Sequence, residues 1–264
     1  MVTYEEAKAE AKEVLGKDWR SVKIALESEK LYVFDSEDNI HLGGRLPVYI
    51  DKKYGDAIPS WSASDIEEAG YNEYTVIEDD NLGYLYDKET VDKYKKQIRM
   101  IKGSIIDTDA DAVVNAANSE LLPGSGVCGA IFEAAGYTEL LMVCKKIGHC
   151  DTGSAVITPG FKMNAKHIIH AVGPKWHGGK NSEENDLRCC YEASLILAEQ
   201  NDCKSIAFPV ISAGIYGYPV KKALDVAIDE ILIYLIENES ELEVSFRIIN
   251  DKILGRFGKE TYNL

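Results

Sequence analysis

No cysteine occurs in the first 127 residues, and the six present, at 128, 144, 150, 189, 190 and 203, form no Cys-x-x-Cys pair. That spacing lacks the ligand pairs of structural zinc sites and offers no disulfide framework. It predicts reduced, mostly buried thiols and neither a bound metal nor another cofactor. Long apolar runs are also missing: none reaches the roughly 18 residues that span a bilayer. The first residues, Met1-Val2-Thr3-Tyr4-Glu5-Glu6, are acidic and lack the basic, apolar and small-residue zones of a signal peptide. A cytoplasmic, soluble protein is expected. Positive charge is scarce as well, with 29 Lys and Arg against 44 Asp and Glu, a net of -15. Such a field repels nucleic-acid phosphates and anionic lipid, which makes nucleic acid and membrane poor partners. An anionic ligand would have to be held by backbone N–H groups and helix N-termini instead of a lysine field.

What is present fits one or two globular domains. The chain has 264 residues, 45% hydrophobic and 28% charged, enough for a real core. Residues 1–95 carry 22 acidic and 12 basic side chains, a net of -10, and are rich in tyrosine. This shift in composition predicts a small acidic α+β domain over 1–96 and a second domain over 97–264. In the first, residues 4–15 pattern as a helix, with Thr3 and Glu6 spaced as a capping box and Gly16 as its stop. Alternating apolar residues predict strands at 21–25, 31–34 and 47–50. Turns are expected at 35–39 and 52–56, a short helix at 62–70, and a strand with a helical connector within 79–96.

From Ile98 the pattern changes to strands alternating with helices. Strands are expected at 98–101, 112–115, 154–158, 167–172, 204–211 and 243–250, and helices at 127–135, 139–147, 183–200 and 220–236. That alternation predicts an α/β fold with a mostly parallel sheet covered on both faces. Ligands of such sheets sit beyond the C-terminal strand ends, at the loops leading into helices.

Two of those loops have the chemistry of an anion cradle. The first runs from Asn115 to Phe132 as Asn-Ala-Ala-Asn-Ser-Glu-Leu-Leu-Pro-Gly-Ser-Gly-Val-Cys-Gly-Ala-Ile-Phe. Gly124 and Gly126 free the backbone for close approach, and the following helix start carries unpaired donors. The second, Pro209 to Pro219, reads Pro-Val-Ile-Ser-Ala-Gly-Ile-Tyr-Gly-Tyr-Pro. Gly214 removes bulk, Tyr216 brings a ring to shield a ligand, and Pro219 suits the first turn of a helix. Either loop alone is an ordinary strand-to-helix turn; two on one rim of a parallel sheet are suited to a diphosphate held from both sides.

These residues resemble the macro domain family. The match rests on Asn-Ala-Ala-Asn with Pro-Gly-Ser-Gly-Val-Cys-Gly-Ala-Ile-Phe. It extends to Gly153 through Phe161, to Ile168-Ile169-His170-Ala171-Val172-Gly173-Pro174, and to Ser212 through Pro219, about 160 residues in all. The resemblance implies a three-layer α/β/α sandwich that binds ADP-ribose. Many members remove ADP-ribose from acidic side chains or deacetylate O-acetyl-ADP-ribose. It also implies that Asn118 contacts the distal ribose and is the catalytic residue. Ser125, Gly126, Val127 and Cys128 would form the first phosphate loop, and Ser212, Ala213, Gly214, Ile215 and Tyr216 the second. Ser104 and Ile105 would flank the base.

Two positions depart from the pattern. Ser104 stands where many members have an aspartate that accepts the adenine amino group, and Asp107 and Asp109 are the carboxylates nearby. Cys128 stands where many hydrolytic members have aspartate, although the macro domains of alphaviruses resemble this chain in having Gly-Val-Cys. No motif pairs Cys128 with a histidine, which favours a packing role over a nucleophile. The reading that results is an ADP-ribosyl hydrolase acting on ADP-ribose or an ADP-ribosylated protein. A non-catalytic ADP-ribose reader is the alternative. In the N-terminal region the run from Leu46 to Asp56 resembles the immunity protein 35 family, which implies a protein partner for that domain. On this reading the chain would counter an ADP-ribosylating toxin.

Overall fold

The computed structural model describes residues 1–15, 24–27, 31–35, 48–53, 57–58, 75–77, 86 and 88–249. The chain divides into two compact units, Met1–Glu89 and Thr90–Leu264.

In the first unit, helix α1 (Tyr4–Leu15) begins at the expected capping box. The Thr3 hydroxyl accepts the Glu6 N–H at 3.3 Å, and the Glu6 carboxylate accepts the Thr3 N–H at 2.7 Å. Five strands follow: β1 (Ile24–Glu27), β2 (Leu31–Asp35), β3 (Val48–Asp51), β4 (Ala57–Ile58) and β5 (Thr75–Ile77). They form an antiparallel sheet in the order β4-β3-β2-β1-β5. Ala7, Ala11 and Leu15 recur every four residues, so they share one helical face, and they pack with Tyr32, Phe34, Val48 and Ile50. The two short strands β4 and β5 were not expected. The helix expected at 62–70 lies outside the described residues, as do the turn residues 36–39. Of residues 46–56, only 48–53 are described.

Helix α2 (Lys88–Lys95), the helical part of the expected connector, crosses the boundary at Glu89 and leads into the second unit. Strands β6 (Ile98–Lys102), β7 (Ala112–Ala116), β8 (Ala155–Pro159), β9 (His167–Ala171), β10 (Ser205–Phe208) and β11 (Glu243–Ile248) make one sheet in the order β6-β11-β10-β7-β9-β8. Every neighbouring pair is parallel except β8 with β9. Helices α3 (Val127–Ala135), α4 (Tyr137–Ile147), α5 (Glu183–Gln200) and α6 (Val220–Glu237) connect the strands. No single described helix is long and apolar enough to cross a membrane.

The central strands carry apolar residues on both faces because both are covered. Val114, Ile169, Ile206 and Phe208 point into a core shared with Leu187, Tyr191 and Leu195 of α5 and Leu224, Ala227 and Ile231 of α6. Their neighbours Val113, Ile168 and Ala207 point into a second core with Ile131 and Phe132 of α3 and Leu140 and Cys144 of α4. The period of two thus builds a helix–sheet–helix sandwich of three layers. The cysteines are free, and five of the six are buried. Burial pushes the thiol of Cys144 up to about 11 and that of Cys190 up to about 12.

Candidate functional site

Strands β7, β9 and β10 are adjacent and parallel, so the segments leaving their C-terminal ends share one rim of the sheet. On that rim lie the loop from 117 to 126 after β7, the segment from 172 to 182 after β9, and the loop from 209 to 219 after β10.

The first loop is folded by its own asparagine. The Asn118 side chain donates to the Leu122 carbonyl at 2.7 Å and accepts from the Leu122 N–H at 3.0 Å. This closes a five-residue turn with one carboxamide in place of two backbone partners. The chain then passes Gly124, Ser125 and Gly126, all exposed, and enters α3. Gly126 is the N-cap and has φ +64°, a left-handed conformation that favours glycine. It brings no side-chain cap, and the first turn of α3 carries no acidic residue. The first internal bond of the helix runs from the Ala130 N–H to the Gly126 carbonyl at 3.1 Å. The N–H groups of Val127, Cys128 and Gly129 are left as open donors at the positive end of the helix dipole. Gly129 is needed for a separate reason. A Cβ there would stand 2.6 Å from the Gly124 carbonyl oxygen, so any larger residue would push the loop off the helix.

The thiol of Cys128 points inward. It is 6% exposed, 3.7 Å from the Asn115 side-chain nitrogen and 3.8 Å from the Leu122 carbonyl. Asn115 in turn lies 3.0 Å from His170 Nδ1, and His170 Nε2 lies 3.1 Å from the Thr158 hydroxyl. His170 is fully buried, and burial pushes its ring down to about 4, so it is neutral near pH 7. This chain of contacts is a core network that holds the base of the loop. A ligand on the rim is offered the backbone N–H of Cys128, with the sulfur facing away from it.

The second loop is held by backbone bonds. The Ala213 N–H reaches the Val210 carbonyl, Gly217 reaches Gly214, and Tyr218 reaches Ser212. The N–H groups of Gly214, Ile215 and Tyr216 remain open, a second set of donors without a lysine among them. Ser212 adopts φ +63°, and its hydroxyl is buried without a hydrogen-bond partner. For a residue other than glycine this is strained backbone of the kind concentrated at functional sites. Its neighbour across the rim is Gly173, where a Cβ would come within 2.3 Å of the Ser212 hydroxyl and 2.5 Å of an Ile211 methyl. Ile215 is 86% exposed at the tip, an apolar side chain with nothing covering it.

Between the rim segments lies a cavity of about 430 Å³. Of the residues singled out from sequence, Asn118 and Tyr216 line it. Ser104, Ile105, the residues from Ser125 to Cys128 and those from Ser212 to Ile215 are not among its walls. Ile105 buries its side chain in the core beside α3. Ser104 is half-buried with extended backbone and caps no helix N–H with its side chain. The nearby Asp107 and Asp109 are exposed.

The remaining wall was missed in the sequence. It consists mainly of the segment after β9, with Val172, Gly173, Pro174, Lys175, His177 and Asn181, joined by Glu183 and Asp186 of α5 and by Ser119, Glu120 and Thr152. The buried Glu183 carboxylate accepts the N–H groups of His177 at 2.8 Å, Gly179 at 3.2 Å and Asn181 at 2.6 Å. Burial alone would raise this carboxyl, but the backbone bonds outweigh it and hold it at about 2. The wall is tied to the second loop by the Trp176 N–H, which donates to the Tyr216 carbonyl at 2.9 Å. The Trp176 ring packs on Tyr218 with centroids 4.4 Å apart. The signal for this clasp was the glutamate opening a helix after a glycine-rich turn, His177-Gly178-Gly179, with partners two to six residues back.

Comparison with known proteins gives this geometry its relatives. The family model described as Macro domain matches residues 114–227. A macro domain-containing protein of Caldanaerobacter subterraneus subsp. tengcongensis is 47% identical over 161 residues, 60% of this chain and 91% of the relative. An O-acetyl-ADP-ribose deacetylase of Salmonella gallinarum is 50% identical over 136 residues, 50% of this chain and 75% of the relative. Among solved structures, the Trypanosoma brucei macrodomain in complex with ADP-ribose superposes with a TM-score of 0.57 at 34% identity, over 61% of this chain and 67% of that one. The family match lies in the second unit, where both loops and the cavity are found. By that similarity this chain belongs to the macro domain family.

Proposed function

We propose that the second unit binds ADP-ribose and hydrolyses a carboxylate ester on its distal ribose, either the bond to a modified acidic side chain or the acetyl ester of O-acetyl-ADP-ribose. The observation that carries this reading is the pair of open backbone donor sets, at Val127 to Gly129 and at Gly214 to Tyr216, belonging to two rim segments that each bring one residue, Asn118 or Tyr216, to the same cavity. Fixed N–H dipoles are suited to a diphosphate in a protein of net charge -15, because they neutralise the ligand without attracting other polyanions. Ile215, exposed without ligand, would gain cover from it. Binding of ADP-ribose by a relative's structure and deacetylation by another relative fit the same pocket.

In the proposed mechanism for the bond to an acidic side chain, water attacks the anomeric carbon of the distal ribose while the diphosphate stays fixed between the loops; for the acetyl ester the same water attacks the acetyl carbonyl carbon and releases acetate. Asn118 faces the sugar from the loop that it also folds, and a substrate phosphate orients the water. Positioning and electrostatic stabilisation supply most of the rate. Cys128 takes no part in bond making, in keeping with its inward-facing thiol. The test is incubation with a glutamate-ADP-ribosylated protein and a gel readout of the released label. Release by wild type is expected. Binding of ADP-ribose without release from any acidic-residue linkage would leave a reader module in place of an enzyme.

A further inference from the structure

The cavity that Asn118 lines is also lined by the segment after β9, and one cation on that segment has no carboxylate partner among the described residues. Lys175 is exposed and lines the cavity. Its backbone is fixed on both sides. Pro174 before it is buried, and the N–H groups of Trp176 and His177 after it are bonded to the Tyr216 carbonyl and the Glu183 carboxylate. Its ammonium stands 5.6 Å from the centroid of the Tyr216 ring, which lines the same cavity. Among the described residues Lys175 has no ion-pair partner. It is also the one lysine or arginine among the cavity's lining residues, whose carboxylates are Glu120, Glu183 and Asp186. Glu183 is committed to three backbone N–H groups. Glu120 lies close enough to Tyr216 that its charge, after burial, raises the tyrosine hydroxyl.

We infer that the outer part of this cavity receives the modified carboxyl side chain of the substrate, and that Lys175 is the cation that stabilises it as a leaving group. The inference rests on the hydrolase reading above and assigns the acceptor side of that site. As the bond between the anomeric carbon and the carboxyl oxygen breaks, its electron pair goes to the oxygen and the side chain departs as a carboxylate. Water supplies the new hydroxyl on the ribose and releases one proton to solvent. The products are ADP-ribose and a free acidic side chain. Negative charge thus develops in a cavity whose free carboxylates, Glu120 and Asp186, oppose it. A fixed ammonium there acts on the transition state more than on the neutral ester. Once the carboxylate is free, the same acidic walls favour its departure. Free ADP-ribose carries no charge at that end, so Lys175 contributes little to its binding.

The experiment is single-turnover hydrolysis of a glutamate-ADP-ribosylated protein by wild type, Lys175→Met and Lys175→Arg, with calorimetric titration of ADP-ribose into each. Lys175→Met should slow hydrolysis on the order of a hundredfold while ADP-ribose affinity stays within about twofold. Lys175→Arg should recover most of the rate because it keeps the charge. A Lys175→Met protein as fast as wild type would overturn the assignment and leave the hydrolase reading standing. Equal loss of rate and of ADP-ribose affinity in both variants would overturn it too, by showing a merely structural role for the wall. A wild-type protein without turnover would remove the hydrolase reading itself, and this inference with it.

Discussion

The two loops of the rim present the same kind of donor but are shaped in opposite ways. The first is folded by a side chain within it, with Asn118 clasping Leu122 in both directions. The second adds to its own backbone bonds a support from a distant segment, with Ser212 in a left-handed conformation close to Gly173 and the Tyr216 carbonyl held by the Trp176 N–H. Local encoding makes the tip of the first loop less dependent on distant segments, although the Cys150 N–H donates to the Ser119 carbonyl at its start. The second takes its shape from the wall after β9, so changes in that wall reach the ligand through it. A mutation's effect on ADP-ribose should therefore depend on which loop it loosens.

The largest effect is expected where bulk and charge enter the donor array without disturbing either support. Gly214 has open space around its missing Cβ, so Gly214→Glu should fold normally. Its carboxylate would confront the diphosphate and abolish binding. Titration of ADP-ribose into a variant with a normal circular dichroism spectrum checks this, and unchanged affinity would show that the second loop faces elsewhere. Asn118→Ala should come next. It removes both the group that faces the sugar and the clasp of the first loop, and misplacement of this kind costs on the order of a hundredfold in turnover. Comparison with Asn118→Asp, which retains an acceptor for the Leu122 N–H, separates the two roles in the same gel assay.

Gly173→Ala sharpens the comparison from the other side. The new methyl would displace the Ser212 hydroxyl and the Ile211 side chain, at a cost of about 1–3 kcal/mol in overpacking. Thermal unfolding and ADP-ribose affinity should fall together, although residue 173 belongs to neither loop. Wild-type affinity in this variant would mean that the second loop is shaped locally after all. The smallest effect is expected at Cys128. Its thiol packs against Asn115 and Leu122, so Cys128→Ala should keep turnover within about tenfold, or 1.4 kcal/mol in the barrier. A folded variant that binds ADP-ribose but has lost all turnover would make the thiol a catalyst.

The contrast between the loops also explains what the sequence revealed. The strands of the second unit were legible because Val113-Val114, Ile168-Ile169 and Ile206-Ala207 are apolar on both faces, as buried parallel strands must be. The helix starting at Val127 was placed by its glycine-rich approach. The first loop could be recognised from its own residues, since Asn118, Gly124 and Gly126 all lie on one short stretch of the chain. The support of the second could not. Nothing near Ser212 announces Gly173 or Trp176, which lie some forty residues earlier and meet it only across the rim. Cys128 was counted with the phosphate loop, and in sequence it belongs there. Only the fold reveals that its side chain turns to Asn115. In the first unit β4 and β5 escaped notice because strands of two and three residues are too short to show a period.

The central claim is that backbone donors from both loops hold the diphosphate of ADP-ribose, and the most direct test is calorimetric titration of ADP-ribose into the wild-type protein at low and high salt. Binding of about -5 to -8 kcal/mol is predicted, with an affinity that changes only modestly with salt, since fixed N–H groups and not lysine side chains meet the phosphates. No heat and no thermal shift at millimolar ADP-ribose would contradict the account.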